Sequence, residues 1–314
     1  SLSLSISLSL YLSLSLTHTH SLTHLLATHT HTHITHKNKN SEATPIVMDV
    51  KAFGYDGVFY TFKTTGEKHR QCEVSMTADV VSELVKYGGE AMMDDIYEKY
   101  KPTVDGNTVT LKFDADDLPE DAEVVVDKIA NLKRNLYGAP FDSCFHALKE
   151  DGVKLDPIAY EYRKDGLMFL VPSEDNVAVI FQMYFPESTD QELAKILLNE
   201  FTEAQRSVNS SPATMFFEGK APPAAKEVQS DIPNEKNSFF LQILVTKTHL
   251  KTEKQQKRVT SLLINIRTYM LYHMKCTKAY VMSRMRTKYD NLIKSLNRCK
   301  PLDRKKIGSK SREI

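Results

Sequence analysis

Residues 252–300 constrain the fold of this chain more than any other segment, because they read as one uninterrupted helix. The segment contains no Gly and no Pro, and its apolar residues recur at steps of three and four, which places them along one side of an α-helix. Thr252 and Gln255 form the capping-box pattern that starts a helix, and Pro301 cannot continue one. At 1.5 Å per residue the predicted helix is about 70 Å long.

A helix of this length cannot bury its whole apolar stripe against one small domain, so the pattern predicts a helical partner. The stripe consists of Val259, Leu262, Leu263, Ile266, Met270, Met274, Val281, Met285, Leu292 and Leu296. The other faces are strongly basic, and only Glu253 and Asp290 oppose the positive charge. Unneutralised positive charge speeds association with acidic surfaces, so we predict an acidic macromolecule as a second partner. The alternative is a solvated helix surface.

Composition limits the other functional classes. The apolar fraction of 41% is compatible with folded cores, and the formal net charge of +1 offers no global argument for nucleic acid. The four cysteines have no zinc-site spacing and are expected to be reduced, intracellular thiols; they are Cys72, Cys144, Cys276 and Cys299. The chain contains no run of about 18 apolar residues, so no membrane span is expected.

Residues 1–44 are expected to lie outside the fold. Ser and Leu alternate over residues 1–16, and Thr and His mostly alternate over residues 17–36. Translated CT and CA dinucleotide repeats give these two patterns. A secretory signal is disfavoured by the missing basic start. An amyloid-like strand and metal binding by the histidines remain as alternatives, the histidines being His18, His20, His24, His29, His31, His33 and His36.

The rest of the chain reads as two similar halves, each a hairpin, a strand, a helix, further strands and another helix. Asp-Gly turns at Asp56 and Asp165 mark the two hairpins. We therefore predict an α+β fold of two related domains, each an antiparallel sheet packed with helices, followed by the long C-terminal helix. The predicted segments are 45–151, 152–250, the helix at 251–300 and a basic tail at 301–314.

Local signals predict how individual elements begin and end. Thr77 and Thr189 are expected to be helix N-caps, and the Gly88-Gly89 pair is expected to stop the first helix. Residues 221–237 are expected to form a Pro-containing loop before the last strand.

The sequence contains none of the motifs GxSxG, HExxH, GxGxxG or the P-loop. We therefore predict no enzyme, no catalytic residues, no cofactor and no metal. An acidic cluster lacks the Gly and distal Glu of a calcium loop and reads as a solvated helix start; its residues are Asp114, Asp116, Asp117, Glu120 and Asp121. Cys276 and His273 share a helix face as a thiol–base pair would, but a core or interface position is the competing interpretation.

Six short segments of the chain carry a resemblance to a known family. They are YMLYHMKCTKAY at 269–280, RMR at 284–286, LNR at 296–298, DGVFY at 56–60, LKRN at 132–135 and YEYR at 160–163. Together they resemble the family of subunit 2 of the actin-related protein 2/3 complex. It extends over residues 45–300. The family's chain begins with an apolar segment and a charged helix-like stretch, and here the repeat tract stands in that place, so the first domain is expected to lack an edge element.

The resemblance implies a non-enzymatic scaffold in the cytoplasmic actin cytoskeleton. In the family the long helix packs against a helix of subunit 4, the two actin-related proteins sit on this core, and subunits 2 and 4 contact the mother filament at a branch. The partner-helix interface would then use Leu262, Ile266, Met270, Met274, Val281, Met285 and Leu292. Filament contact would use Lys275, Lys278, Arg284, Arg286 and Lys288, because actin's surface is acidic.

Nucleic-acid binding by the basic helix is the alternative function. It predicts a steep salt dependence of binding to DNA or RNA. Tyr269, Tyr272 and Tyr280 lie on a helix rather than on a stacking platform, which speaks against it.

Overall fold

The computed structural model describes residues 49–53, 57–65, 71–114, 122–150, 155–163, 166–206 and 211–299. The predictions for residues 1–44, the basic tail and most of the acidic cluster lie outside these residues. Asp56 and residues 164–165 of the hairpin turns also lie outside them, although the strands on both sides of each turn are described.

The described residues form ten antiparallel strands in two sheets of five. The first sheet has the order β1-β2-β3-β5-β4, with strands β1 Asp49–Phe53, β2 Phe59–Thr65, β3 Gln71–Thr77, β4 Thr103–Asp105 and β5 Thr108–Asp114. The second has the order β6-β7-β8-β10-β9, with strands β6 Ile158–Arg163, β7 Gly166–Pro172, β8 Asn176–Tyr184, β9 Ala213–Glu218 and β10 Ser238–Thr246. Both sheets therefore place their strands in the same sequential order, which confirms the predicted α+β fold with two related sheets.

Seven α-helices accompany these strands in the described part of the chain. They are α1 Val81–Leu84, α2 Glu90–Tyr97, α3 Ala122–Ala130, α4 Leu132–Lys149, α5 Ser188–Arg206, α6 Pro223–Val228 and α7 Glu253–Arg298. A kinked turn, Val85–Gly89, joins α1 to α2, and the backbone angles of Tyr87 and Gly88 within it are not helical. The predicted capping box of α7 is confirmed, because Gln255 N–H donates to Thr252 Oγ1 over 3.2 Å and Thr252 N–H donates to Gln255 Oε1 over 3.1 Å.

The first sheet has one apolar and one polar face. Phe62, Val74 and Leu111 lie opposite one another on three neighbouring strands, and all three are buried. On the other face, the hydroxyls of Ser75 and Thr110 form a hydrogen bond of 3.0 Å. This alternation is what an antiparallel sheet covered on one side requires.

The second sheet is covered on both faces. In β8 every residue from position 177 to position 183 is buried. Phe169, Ile180 and Phe240 form a cluster with residues of α6 and its flanking loops, while Tyr160 lies near Cys144 of α4 on the other face. A strand buried on both faces reads as a nearly continuous apolar run, and in β8 this run covers residues 177–181, followed by the buried Gln182.

Three sequence predictions are wrong in detail. Thr77 ends β3, where its hydroxyl bonds to the Thr108 hydroxyl over 2.9 Å, and α1 follows Val80, which makes no side-chain cap. Thr189 lies inside α5, because the helix begins earlier, with the amides of Asp190 and Gln191 bonded to the Glu187 carbonyl. The predicted loop at 221–237 contains the helix α6, which starts with Pro223 at a position where Pro is favoured.

Helix α4 is in close contact with the turn between α1 and α2. Gly88 has a φ of +105°, and a Cβ there would lie 2.5 Å from Ser143 Oγ and 3.3 Å from the Ala139 carbonyl oxygen. A Cβ on Gly89 would lie 3.0 Å from Leu136 Cδ1. The predicted helix stop at Gly88-Gly89 is confirmed, and the same glycines allow this turn to approach α4.

The first half of α7 also packs closely on α4. A Cβ on Gly138 of α4 would lie 2.8 Å from Thr260 Cγ2 of α7. Leu263, Ile266 and Tyr269 of α7 are buried. The boundary between two compact units lies within this helix, between Leu271 and Tyr272.

The short helical turn Lys247–Leu250, between β10 and α7, depends on a neutral histidine. Thr246 N–H donates to Nδ1 of His249 over 3.1 Å, as in a capping box. Burial lowers the pKa of His249 below its ordinary value. A protonated Nδ1 could not accept the amide proton.

Substitution of Gly88 by Ala should lower the free energy of unfolding by about 2–5 kcal/mol. A positive φ costs a residue with a Cβ about 1–2 kcal/mol, and overpacking against α4 adds about 1–3 kcal/mol. Gly106→Ala is the matched control, because Gly106 has a φ of +54° but a Cβ there would meet nothing within 4 Å, so it should cost about 1–2 kcal/mol. Denaturant unfolding of the two variants measures the difference, and equal losses would contradict a packing role for Gly88.

The stability of the chain should fall as the pH is lowered below about 6.5, in part through His249. In the unfolded chain this histidine takes up a proton near pH 6.5, whereas in the folded chain its pKa is lower. The loss of folding stability therefore develops as the pH falls from the unfolded pKa to the folded pKa. His249→Asn retains an acceptor for the Thr246 amide but does not titrate. Unfolding at pH 7.5 and pH 5.5 should show a smaller pH effect in this variant, and an unchanged effect would exclude His249 as a source.

Candidate interaction surface of the C-terminal helix

The first half of α7 is held to α4 by a polar network at their contact. Thr260 Oγ1 donates to Asp142 Oδ1 over 2.9 Å, and Gln256 Nε2 donates to the same oxygen over 3.1 Å. Gln256 accepts a hydrogen bond from Lys149 Nζ through its Oε1. Hydrogen bonds to a charged group are each worth about 1.5–3 kcal/mol, so this network fixes which face of α7 lies on α4.

A second contact joins the first half of α7 to the second sheet. The Arg267 guanidinium lies over the Tyr162 ring, 5.1 Å from its centroid. Burial raises the pKa of the Tyr162 phenol, so its ring stays neutral. Cation–π contacts of this kind contribute about 0.5–2 kcal/mol.

The predicted partner-facing residues fall into two groups. Ile266, Met270 and Met274 are buried and Leu262 is half-buried. The side chains of these three buried residues are thus already removed from solvent in this chain. Val281, Met285 and Leu292 are exposed, with exposed fractions of 43%, 61% and 57%.

Other exposed apolar residues on the second half of α7 complete a regular row that we call the apolar row. It consists of Met282, Met285, Tyr289, Leu292 and Leu296, all at least half exposed. The spacing of 3, 4, 3 and 4 residues is that of the contact positions of a coiled coil. The predicted interface residues did not include Met282, Tyr289 or Leu296, although the seven-residue repeats 282-289-296 and 285-292 are visible in the sequence.

The predicted filament-contact residues lie on the same half of the helix. Lys275, Arg284, Arg286 and Lys288 are exposed, and Lys278 is half-buried. Arg284 Nη1 donates to the Tyr280 hydroxyl over 3.1 Å, and the guanidinium lies 5.6 Å from the centroid of that ring. Over residues 272–299 the helix carries seven Lys and Arg residues against Asp290 as the single acid.

The basic residues lie at different angles around the helix axis, measured from the centre of the apolar row. At 100° per residue, Arg286 and Lys288 lie about 80° to either side of the row's centre, and Arg284 lies about 120° away. Lys294 and Arg298 lie about 160° away, on the opposite side of the helix. A partner seated on the apolar row would therefore approach Arg286 and Lys288 and leave Lys294 and Arg298 in solvent.

Burial affects several titratable side chains of the described residues. Burial raises the pKa of Cys144 to about 12 and also raises the pKa of Cys72, so both thiols are protonated and poor nucleophiles near neutral pH. A hydrogen bond with Cys276 raises the pKa of the Tyr272 phenol. Burial lowers the pKa of His273.

Neither a metal-binding cluster nor a membrane-spanning helix occurs among the described residues. Within those residues, His, Cys, Asp and Glu side chains form no group of three that could hold a metal ion. None of the helices there is apolar over a length that would cross a bilayer.

Comparison with known proteins identifies the family. The model of the family described as Arp2/3 complex, 34 kD subunit p34-Arc matches residues 74–303. The chain is 30% identical over 250 residues to actin-related protein 2/3 complex subunit 2 of Dictyostelium discoideum, covering 79% of this chain and 83% of that protein. It is 28% identical over 298 residues to the protein of the same name from Schizosaccharomyces pombe, covering 86% and 93%.

The matched region contains both sheets from β3 onwards and all of α7. It also contains five of the six motifs that carry the resemblance, at 132–135, 160–163, 269–280, 284–286 and 296–298, whereas DGVFY at 56–60 precedes it. This chain belongs to the p34-Arc family, the family of the 34 kD subunit of the Arp2/3 complex.

Proposed function

We propose that this protein is a non-enzymatic subunit of an Arp2/3 complex in the cytoplasmic actin cytoskeleton. In this role it pairs through α7 with subunit 4, supports the two actin-related proteins and contacts the mother filament from which a branch grows. The observation that carries the proposal is the exposed apolar row on a helix whose first half is already packed against its own chain.

The apolar row supports the pairing because its exposure is costly. Met285, Tyr289 and Leu292 each expose more than half of their surface in the isolated chain. Burying a side chain of this size contributes about 1.5–3 kcal/mol. Five such residues at coiled-coil spacing form a contact surface for one helix, and subunit 4 is its proposed source.

The buried residues Ile266 and Met270 are proposed to support the assembly indirectly, by stabilising this chain. They belong to the stretch of α7 that α4 and Tyr162 hold in place through the contacts of Asp142 and Arg267. Their effect on assembly is therefore expected to act through the stability of this chain. Val281, Met285 and Leu292 remain as proposed direct contacts with the partner helix.

The filament contact is proposed for the basic residues of the second half of α7. Its seven cations and single acid give residues 272–299 a charge of +6 with His neutral, since 7 − 1 = 6. A positive segment of this kind is complementary to the acidic surface of actin. Arg284 is the strongest candidate among the five predicted residues, because it lies farthest from the apolar row.

Changing Met285 and Leu292 to Asp should abolish the stable complex with subunit 4. Two carboxylates would then have to be desolvated in an apolar contact. We would co-express the full chain with subunit 4 and measure the one-to-one complex on a sizing column. The matched control is Ser283→Asp with Thr287→Asp, which adds the same charges about 140–180° from the centre of the apolar row and should leave the complex intact.

The stability of each variant in the absence of subunit 4 shows whether loss of the complex comes from a lost contact or from unfolding of the chain. Met285 is exposed, so Met285→Ala should change the free energy of unfolding by no more than about 0.5 kcal/mol. Met270 is only 2% exposed, so Met270→Ala should cost about 2–5 kcal/mol. Retention of the complex by the Met285 and Leu292 double variant would refute the apolar row as the pairing surface.

Arg284→Glu should weaken binding of the assembled complex to actin filaments by about 3- to 10-fold at low salt, because it replaces an attraction with a repulsion at an exposed site. Filament co-sedimentation at 50 mM and 300 mM salt measures the effect, which screening should reduce at the higher concentration. Lys254→Glu is the matched control, an exposed cation on the first half of the same helix. Equal effects of the two substitutions would argue against a local filament contact.

Nucleic-acid binding is the alternative, favoured only by the basic charge of residues 272–299. It predicts that the chain binds DNA or RNA with a steep dependence on salt concentration. The exposed Tyr280 ring is engaged by Arg284, whereas base stacking would require a free aromatic face. Binding of the assembled complex to DNA but not to filaments would replace the scaffold proposal with this one.

A further inference from the structure

We propose that the partner of the apolar row is a helix with acidic residues on both of its flanks, and that the cations of this chain select it against a second copy of the same chain. The inference rests on the proposed function, because it concerns the same surface of α7. It assigns to Lys275, Arg286 and Lys288 the choice of helix partner, and leaves Arg284, Lys294 and Arg298 on the outer side.

The apolar row alone would also fit a second copy of itself. Met282, Met285, Tyr289, Leu292 and Leu296 are exposed and have the spacing of a helix seam. Apolar contacts are non-directional, so they distinguish poorly between one apolar helix and another. Selection between partners must therefore come from the charged residues around the row.

Two cations flank the row at its centre. Arg286 and Lys288 lie about 80° to its two sides, which are the positions whose charges set partner choice in paired helices. In a pair of identical chains, four cations would lie at one level along the contact. Asp290 is the single acid of residues 272–299 and lies about 120° from the row's centre, too far around the helix to neutralise them.

Two further cations continue the row toward the start of the helix. Lys275 lies seven residues before Met282, and Lys278 lies seven residues before Met285. A pair of identical chains in register would bring like charges together at both positions. Lys at such a seam position is a known means of specifying the pairing state. A partner with acidic residues opposite them would turn this repulsion into attraction.

Charge complementarity therefore identifies the partner chemically. It is an amphipathic helix whose apolar seam is bordered by Asp or Glu on both sides, with further acidic residues near the level of Lys275 and Lys278. A helix with basic borders, including α7 itself, is disfavoured, since like charges facing each other across an interface are destabilising.

A mixing experiment with the full chain tests this selection directly. The row variant carries Lys275→Glu, Arg286→Glu and Lys288→Glu, all at exposed positions. In sedimentation velocity at low salt, the wild-type chain and the row variant should each be monomeric alone and should form a dimer when mixed. Met285→Asp in either chain should abolish the mixed dimer. Dimerisation of the wild-type chain alone at the same concentration, or a mixture that stays monomeric, would overturn the proposal.

A matched variant separates charge selection from general charge effects. The outer variant carries Arg284→Glu, Lys294→Glu and Arg298→Glu, which reverses three charges on the same helix away from the row. Binding to subunit 4 at low salt should be weakened about 10- to 100-fold in the row variant, less so at 0.5 M salt, and by less than about 3-fold in the outer variant. Equal losses in the two variants, or no loss in either, would overturn the inference.

The result for the wild-type chain separates this inference from the proposed function. If the wild-type chain does not bind subunit 4 at all, the proposed pairing fails. If it binds and the two variants behave alike, the pairing stands and the charge selection fails.

Discussion

The close approach of other segments to α4 is the interaction on which the rest of the structure depends. Gly88 and Gly138 lie at the contacts on either side, and a Cβ at either position would meet atoms of the neighbouring segment at 2.5 Å and 2.8 Å. Through these contacts α4 joins the helical turn of the first half to the start of α7, while it also covers β7 and β8. Packing this dense tolerates small changes in volume poorly. The positions of the turn at 85–89 and of α7 against α4 therefore depend on the absence of a side chain at Gly88 and Gly138.

Much of the fold is predictable from local sequence patterns, because those patterns report local physics. The hairpin pairings β1–β2 and β6–β7, the apolar strand β8 and the capping box of Thr252 each follow from a few neighbouring residues. The predictions failed where a distant residue decided the outcome. Thr77 bonds to Thr108, which is 31 residues away, instead of capping α1. The close packing at Gly138 could be predicted only by knowing that Thr260 lies opposite it. The sequence pattern within α4 does not contain this information.

The sequence predicts that α7 has an apolar contact surface, but not which residues along the helix remain exposed for a partner. Steps of three and four residues identify the apolar side of α7, yet the same pattern covers Met270, which is buried, and Met285, which is exposed. Amphipathicity shows which side of a helix is buried in a contact. Whether that contact is made by the same chain or by another protein depends on tertiary structure. The stretch up to Met270 is paired with its own chain by Asp142 and Tyr162, and the position of that pairing along α7 has no local signal.

The strand order of the second sheet has a consequence for synthesis of the chain. β10 lies between β8 and β9, so the sheet cannot close until residue 246 has left the ribosome, and the cover supplied by α7 follows later still. Until then the apolar strand β8 has an unpaired edge, and exposed apolar edges favour aggregation. The edge of β8 therefore stays unpaired from the synthesis of residue 184 to that of residue 246, and a chain that ended before β10 would leave this edge exposed permanently.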